Sequence, residues 1–108
     1  MTVREACEKC ELHAVAMPDG DREIEGAYIG DLLSWVMGRA ESGDAWITIM
    51  SNSNIVAVAS LADTACIILS EGVTLEGDVV ELAESKGVNV LSSDCPSYET
   101  AVRLSKLI

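Results

Sequence analysis

The stretch Trp46-Ile47-Thr48-Ile49-Met50, running into Ser51-Asn52-Ser53 and then into Asn54 to Ala62, leaves this chain few folds to adopt. Its first five positions are bulky or β-branched without alternation, the pattern of a strand covered on both faces rather than one with a wet side. The Ser/Asn cluster ends that strand. Side chains of Ser51, Asn52 and Ser53 can accept from the free N–H groups of a helix's first turn, so a helix is expected to start there. Residues 54–62 are apolar nearly all round, which places that helix between the sheet and a further layer, such as a second subunit.

The rest of the chain repeats this strand–cap–helix grammar. Residues 2–10 read as a short helix with Thr2 as N-cap and Glu5 at capping-box spacing, and with an apolar stripe of Val3, Ala6, Cys7 and Cys10. Leu12 to Ala16 reads as a strand, residues 17–21 as a Pro/Asp/Gly turn, and Ile24 to Ile29 as a second strand. Asp31 is the expected N-cap of a helix over 32–39 whose apolar face is Leu32, Leu33, Trp35, Val36 and Met37. Beyond the central unit come a strand at 65–69, a helix opened by Thr74 or Glu76 and closed by Lys86-Gly87, a strand at 88–91, and a last helix started by Pro96. From residue 28 onward strand and helix alternate four times at roughly twenty-residue intervals. The expected fold is α/β: one small domain over residues 1–108, with a mainly parallel sheet flanked by helices.

Charge narrows the function. Eighteen Asp and Glu stand against seven Lys and Arg, a formal net charge of −11, and no segment gathers a basic cluster. Nucleic acid and anionic membranes are therefore not expected partners, because both need a Lys/Arg footprint. No run approaches the ~20 apolar residues of a membrane span and the first ten residues carry no apolar signal region, so a cytoplasmic location is expected. There Cys7, Cys10, Cys66 and Cys95 should stay reduced rather than form disulfides.

Open α/β sheets bind ligands beyond the carboxyl ends of their strands. Those ends carry Asp31, Asn52, Asn54, Glu71 and Ser93, short polar side chains suited to a polar ligand and equally suited to capping helices and shaping turns. Neither glycine-rich phosphate cradle occurs, so no cofactor is expected. Cys7, Cys10 and His13 have the three-residue spacing of metal ligands. A structural zinc site needs a fourth ligand, and the two thiols also complete an apolar helix stripe. No metal is assigned, His13 has no Ser nucleophile near it in sequence, and a catalytic role is not expected of the chain.

The segments Ile29-Gly30-Asp31-Leu32-Leu33-Ser34, Trp46-Ile47-Thr48-Ile49, Asn54 to Ala59 and Ile68-Leu69-Ser70-Glu71-Gly72 resemble the DRTGG domain family, over about residues 2–107. The resemblance implies a fold similar to the N-terminal domain of HPr kinase/phosphorylase and a regulatory, dimer-forming role. Members also occur inserted between CBS domains in regulated pyrophosphatases and as stand-alone proteins of this length. Asp21, Arg22 and Gly26 correspond to residues of the family motif, although no contiguous pentapeptide is present, and the kinase's catalytic phosphate loop belongs to a separate domain. Three readings follow: a non-catalytic regulatory module that forms a homodimer through its central helix and takes a protein partner or small ligand; a nucleotide or metabolite sensor at the strand ends; and a Cys/His metal or redox module.

Overall fold

A computed structural model describes all residues 1–108. Its elements, in order, are α1 (Val3–Lys9), β1 (His13–Ala16), β2 (Gly26–Ile29), α2 (Leu33–Arg39), β3 (Asp44–Thr48), α3 (Asn54–Ala62), β4 (Cys66–Leu69), α4 (Gly77–Lys86), β5 (Val90–Ser92) and α5 (Ser97–Ser105). They build one five-stranded sheet in the order β1-β5-β4-β3-β2. Strands β2 to β5 are parallel, and β1 joins β5 antiparallel.

Every residue of β3 and of β4 is buried, which is why their sequences lack alternation. Their side chains divide by parity. Trp46, Ile67, Leu69 and Val90 face a core completed by Val36 of α2, Ile55, Val56, Val58 and Ala59 of α3, and Val79 and Ala83 of α4. Ala45, Ile47, Cys66, Ile68 and Leu91 face the other, completed by Val3, Ala6 and Cys10 of α1 and Leu104 of α5. The sheet is thus sandwiched by three helices on one face and two on the other.

The central helix spans 54–62 as read, but its apolar residues are spent within the chain. Val56 is 1% exposed, and α2 and α4 flank the helix; only Leu61 among its large residues looks outward. The expectation that α3 forms a dimer face is therefore corrected: Val56→Asp would bury a charge in the core rather than split a dimer. Helix α2 departs in the opposite sense. Of its expected apolar face only Val36 is buried, while Leu32, Trp35 and Met37 are exposed and Arg39 stacks on the Trp35 ring at 3.7 Å. With barely two turns, α2 can hold one row of residues on the sheet.

Polar ties close the amino-end edge of the sheet. Arg22 donates from Nη1 to Asp63 Oδ1 (3.0 Å) and from Nη2 to the Asp63 carbonyl (3.0 Å), fixing the left-handed residue (φ 58°) that caps α3. Asp21 pairs with Arg4, and Gly26 lies where an added Cβ would meet Asp44 Oδ1 at 2.7 Å. Asn89, 3% exposed, is fully used: its Nδ2 donates to the Asp19 and Ala65 carbonyls (2.8 and 2.9 Å), and its Oδ1 accepts from Asp19 N–H (2.9 Å).

Two expectations follow. Asn89→Ala strands those backbone groups and should cost about 2 kcal/mol in urea unfolding; a loss below about 0.5 kcal/mol would show that water replaces the amide. The guanidinium of Arg22, and then the Ser42 hydroxyl, hold the Asp63 carboxyl below the usual aspartate range. Its folded pKa being depressed, the stabilisation is whole above the unfolded value and is lost as pH falls through the folded one. Asp63→Asn, whose side chain tolerates the left-handed backbone, should therefore lower the urea midpoint at neutral pH and converge with wild type on acidification. A difference that persists undiminished to about pH 3, below the ordinary aspartate range, would contradict this role.

Candidate functional site

Because β2 to β5 are parallel, their carboxyl ends and following loops share one edge of the sheet. Helices α2, α3 and α4 leave that edge toward one face and α5 toward the other, so the loops after β4 and β5 flank a change of face, the place where such sheets open a crevice. Asp31, Asn52, Glu71 and Ser93 lie in these loops, and Asn54 is the first residue of α3.

At the β2–β3 end, Asp31 does not cap α2. Its Oδ1 accepts from the Thr48 hydroxyl (2.8 Å) and from Ile49 N–H (3.0 Å), while Leu32 occupies the cap position without a side-chain bond. Trp46 Nε1 donates to the Gly30 carbonyl (2.8 Å) and completes the tie between the two strand ends. Asn52 Oδ1 accepts from Asn54 N–H (2.9 Å) and starts α3, a role open to any of the three residues before it by composition alone. Asn54 is exposed on the first turn of α3, with its side-chain amide in no hydrogen bond.

At the β4–β5 end the two loops interlock. Glu71 N–H donates to the Cys95 carbonyl (2.8 Å) and Gly72 N–H to the Ser93 carbonyl (2.9 Å), with Glu71 held in the left-handed region at φ 61°. That conformation turns the Glu71 carboxylate onto α5, where Oε2 accepts from Ser97 N–H (3.0 Å); Pro96, at the cap position, makes no side-chain cap bond. The Ser70 and Ser97 hydroxyls meet at 2.6 Å. Ser93 is 2% exposed, bonded to Thr100 Oγ1 (2.8 Å) and accepting from Cys95 N–H (3.1 Å), so its hydroxyl shapes the loop from below.

The structure adds His13 to this edge. In register with Ser92, it places Nε2 3.1 Å from Asp94 Oδ2, both side chains exposed. The contact spans eighty-one residues in sequence, and only the antiparallel pairing of β1 with β5 creates it. Sequence weighed His13 only with Cys7 and Cys10 and not at this edge, and it did not single out Thr48, Ser97 or Thr100, since a strand threonine and helix-start hydroxyls read as packing and caps.

His13 is thereby drawn away from the thiols. Cys7 Sγ donates to the Leu12 carbonyl (3.3 Å), while Cys10 and Cys66 lie in the core beside it. No group of three His, Cys, Asp or Glu side chains is arranged to hold a metal ion. Burial raises the Cys7 and Cys10 thiols and pushes Cys66 up to about 12; Cys95 is raised chiefly by its hydrogen bond with Glu99. Reactive thiols need the opposite shift.

The hollows of the surface lie off this edge: about 350 Å³ between α3 and α4, about 310 Å³ between α1 and α5, and about 260 Å³ between β2 and α5. Only the first reaches the strand-end loops, through Ser53. No helix is long and apolar enough to cross a membrane.

No curated protein matches the sequence. Among solved structures, the chain is similar to the CBS and DRTGG domains of the regulatory region of a Clostridium perfringens pyrophosphatase, a structure solved in complex with the activator diadenosine tetraphosphate. The TM-score is 0.74 at 14% identity, over 95% of this chain and 45% of that one, so the likeness is one of fold and the chain spans less than half the length of that region. The family model of the DRTGG domain matches residues 17–107, which takes in four of the five strands and both interlocked loops, and the chain belongs to the DRTGG domain family.

Proposed function

We propose that this chain is a non-catalytic regulatory module of the cytoplasm, a single domain that senses a small polar ligand at the carboxyl ends of its strands and works as a homodimer. The observation that carries the reading is the way the strand-end loops are built. Their polar groups bond to one another from loop to loop, Glu71 to Ser97 and Gly72 to Ser93 between the β4 and β5 ends, and Asp31 to Thr48 between the β2 and β3 ends. A ligand entering there can exchange those bonds for its own and shift the loops, which is how a binding event becomes a regulatory signal. Membership of the DRTGG family supports the regulatory role. The pyrophosphatase region of like fold, solved with a dinucleotide activator, makes nucleotides the first ligands to try.

The chemistry of the edge favours binding over catalysis. Ser93 is buried, Asp31 and Glu71 are committed to neighbouring N–H and O–H donors, and His13 faces Asp94 with no nucleophile positioned beside it. No Lys or Arg lies in the four loops, so they suit the base and sugar of a nucleotide, or another hydroxyl- and amide-bearing metabolite, more than a bare phosphate.

Thermal melting in the presence of a panel of nucleotides and polar metabolites, diadenosine tetraphosphate included, tests this directly. A ligand at one hundred times its Kd should stabilise the fold by about 2.7 kcal/mol. Asn54→Ala, which removes an exposed amide without touching the core, should abolish the shift. A panel that leaves the melting temperature unmoved, or a shift that survives the substitution, would overturn the site.

A further inference from the structure

Helices α3 and α4 lie side by side on one face of the sheet, and because each follows a parallel strand they run in the same direction. Between them is an open hollow of about 350 Å³. Its walls are Val56, Ala57 and Leu61 of α3 and Leu82 of α4. Val56, at the floor, is 1% exposed, and Leu61, at the rim, is 73% exposed. The polar lining sits at the two ends. Ser53, just before α3, marks the strand-end side, while Ser60 and Lys86, in the last turns of their helices, mark the other.

Shape and charge identify the occupant. An apolar hollow of roughly 300–1,000 Å³ with a few polar groups at fixed points is the build of a small-molecule pocket. From Ser53 to Ser60 is about 10 Å along a helix, the span of a medium-length alkyl chain. Lys86 belongs to none of the chain's ion pairs, although the chain holds 18 Asp and Glu. An unpaired ammonium beside an apolar wall suits an anionic head joined to an apolar body. One cation on a molecule of net charge −11 suits a single negative charge better than a phosphate dianion. The other hollows lack this combination. Between α1 and α5, Lys9, Arg103 and Lys106 share the lining with Glu11, which Arg103 already faces at 3.7 Å, and no cation lines the hollow between β2 and α5.

We infer that the α3–α4 hollow binds a small apolar monocarboxylate. Its tail lies along Val56, Ala57 and Leu82 under the rim at Leu61, and its carboxylate meets the Lys86 ammonium, with the Ser60 hydroxyl as a second donor. This site is separate from the polar strand-end site proposed above, and neither depends on the other. They meet at Ser53, which lies between Asn52 and Asn54, so a tail that fills the hollow touches the loop that starts α3.

Octanoate, kept below its micelle-forming concentration, and its uncharged counterpart octanol test this by titration into the full isotope-labelled chain with backbone amide chemical shifts as the readout. Three proteins are compared: wild type, Lys86→Gln and Lys106→Gln, the last an exposed lysine of the α1–α5 hollow. Both substituted residues are exposed, so the fold, checked by circular dichroism, should be kept. The expected result is saturable octanoate binding that moves the amides of residues 53–61 and 82–86, at least tenfold tighter than octanol. Lys86→Gln should raise the octanoate Kd at least tenfold, and Lys106→Gln should leave it unchanged. Octanoate that moves no amide of the two helices, binds no tighter than octanol, or binds Lys86→Gln as well as wild type overturns the site. Should Lys86→Gln fail to fold, Ala57→Phe, which fills the hollow from an exposed position, takes its place and should abolish the shifts; shifts that survive it overturn the site equally.

Discussion

The parallel pair β3–β4, buried on both faces along its whole length, is the constraint on which the other elements depend. A strand with no wet side needs a layer on each side, and each fully buried large side chain contributes roughly 1.5–3 kcal/mol if it stays dry. Trp46, Ile67 and Leu69 draw α2, α3 and α4 onto one face, while Ile47 and Ile68 draw α1 and α5 onto the other. The division is unequal. Three helices cover their face, but two cannot cover theirs, and the uncovered strip falls at β2, the strand farthest from β1 in the sheet. The exposed apolar edge is thus a consequence of the layering.

The same pair sets the character of the strand-end loops. Where β3 and β4 leave the core, their last buried residues are Thr48 and Ser70, whose hydroxyls bond outward to Asp31 and Ser97. A loop tied by hydrogen bonds between polar side chains is held in place yet can exchange partners at small net cost, since each bond contributes about 1 kcal/mol. Glu71 illustrates the balance: its left-handed backbone is uncommon for a residue with a side chain, and what it secures is a cap for α5 that Pro96 does not supply. Conformations of this kind collect where a loop has work beyond connecting two elements.

Much of this was legible in the sequence, and what was hidden shares a cause. Local signals sufficed for the capping box of Thr2 and Glu5, the bounds of α3, the left-handed Gly87 after α4 and the alternation of strand and helix. Strand order, and everything it decides, was not legible. Leu32, Trp35 and Met37 read as the buried face of α2 because periodicity marks apolar residues without saying how much sheet lies beneath them. The ties of Arg22 to Asp63, Asn89 to Asp19 and His13 to Asp94 join residues 41, 70 and 81 apart, beyond any local pattern. The candidate residues fall along one edge because strand ends are a local signal, whereas the burial of the Ser93 hydroxyl depends on Thr100, one turn into the next helix.

The central claim, that the interlocked strand-end loops are the part of the molecule that answers a ligand, is tested most directly by amide hydrogen exchange on the full chain with and without diadenosine tetraphosphate. The account expects slowed exchange at residues 49–54, 70–72 and 93–97, with the amides of β3 and β4 unchanged because they are already closed. Protection confined to the α1–α5 side, or no change anywhere at saturating nucleotide, would contradict it.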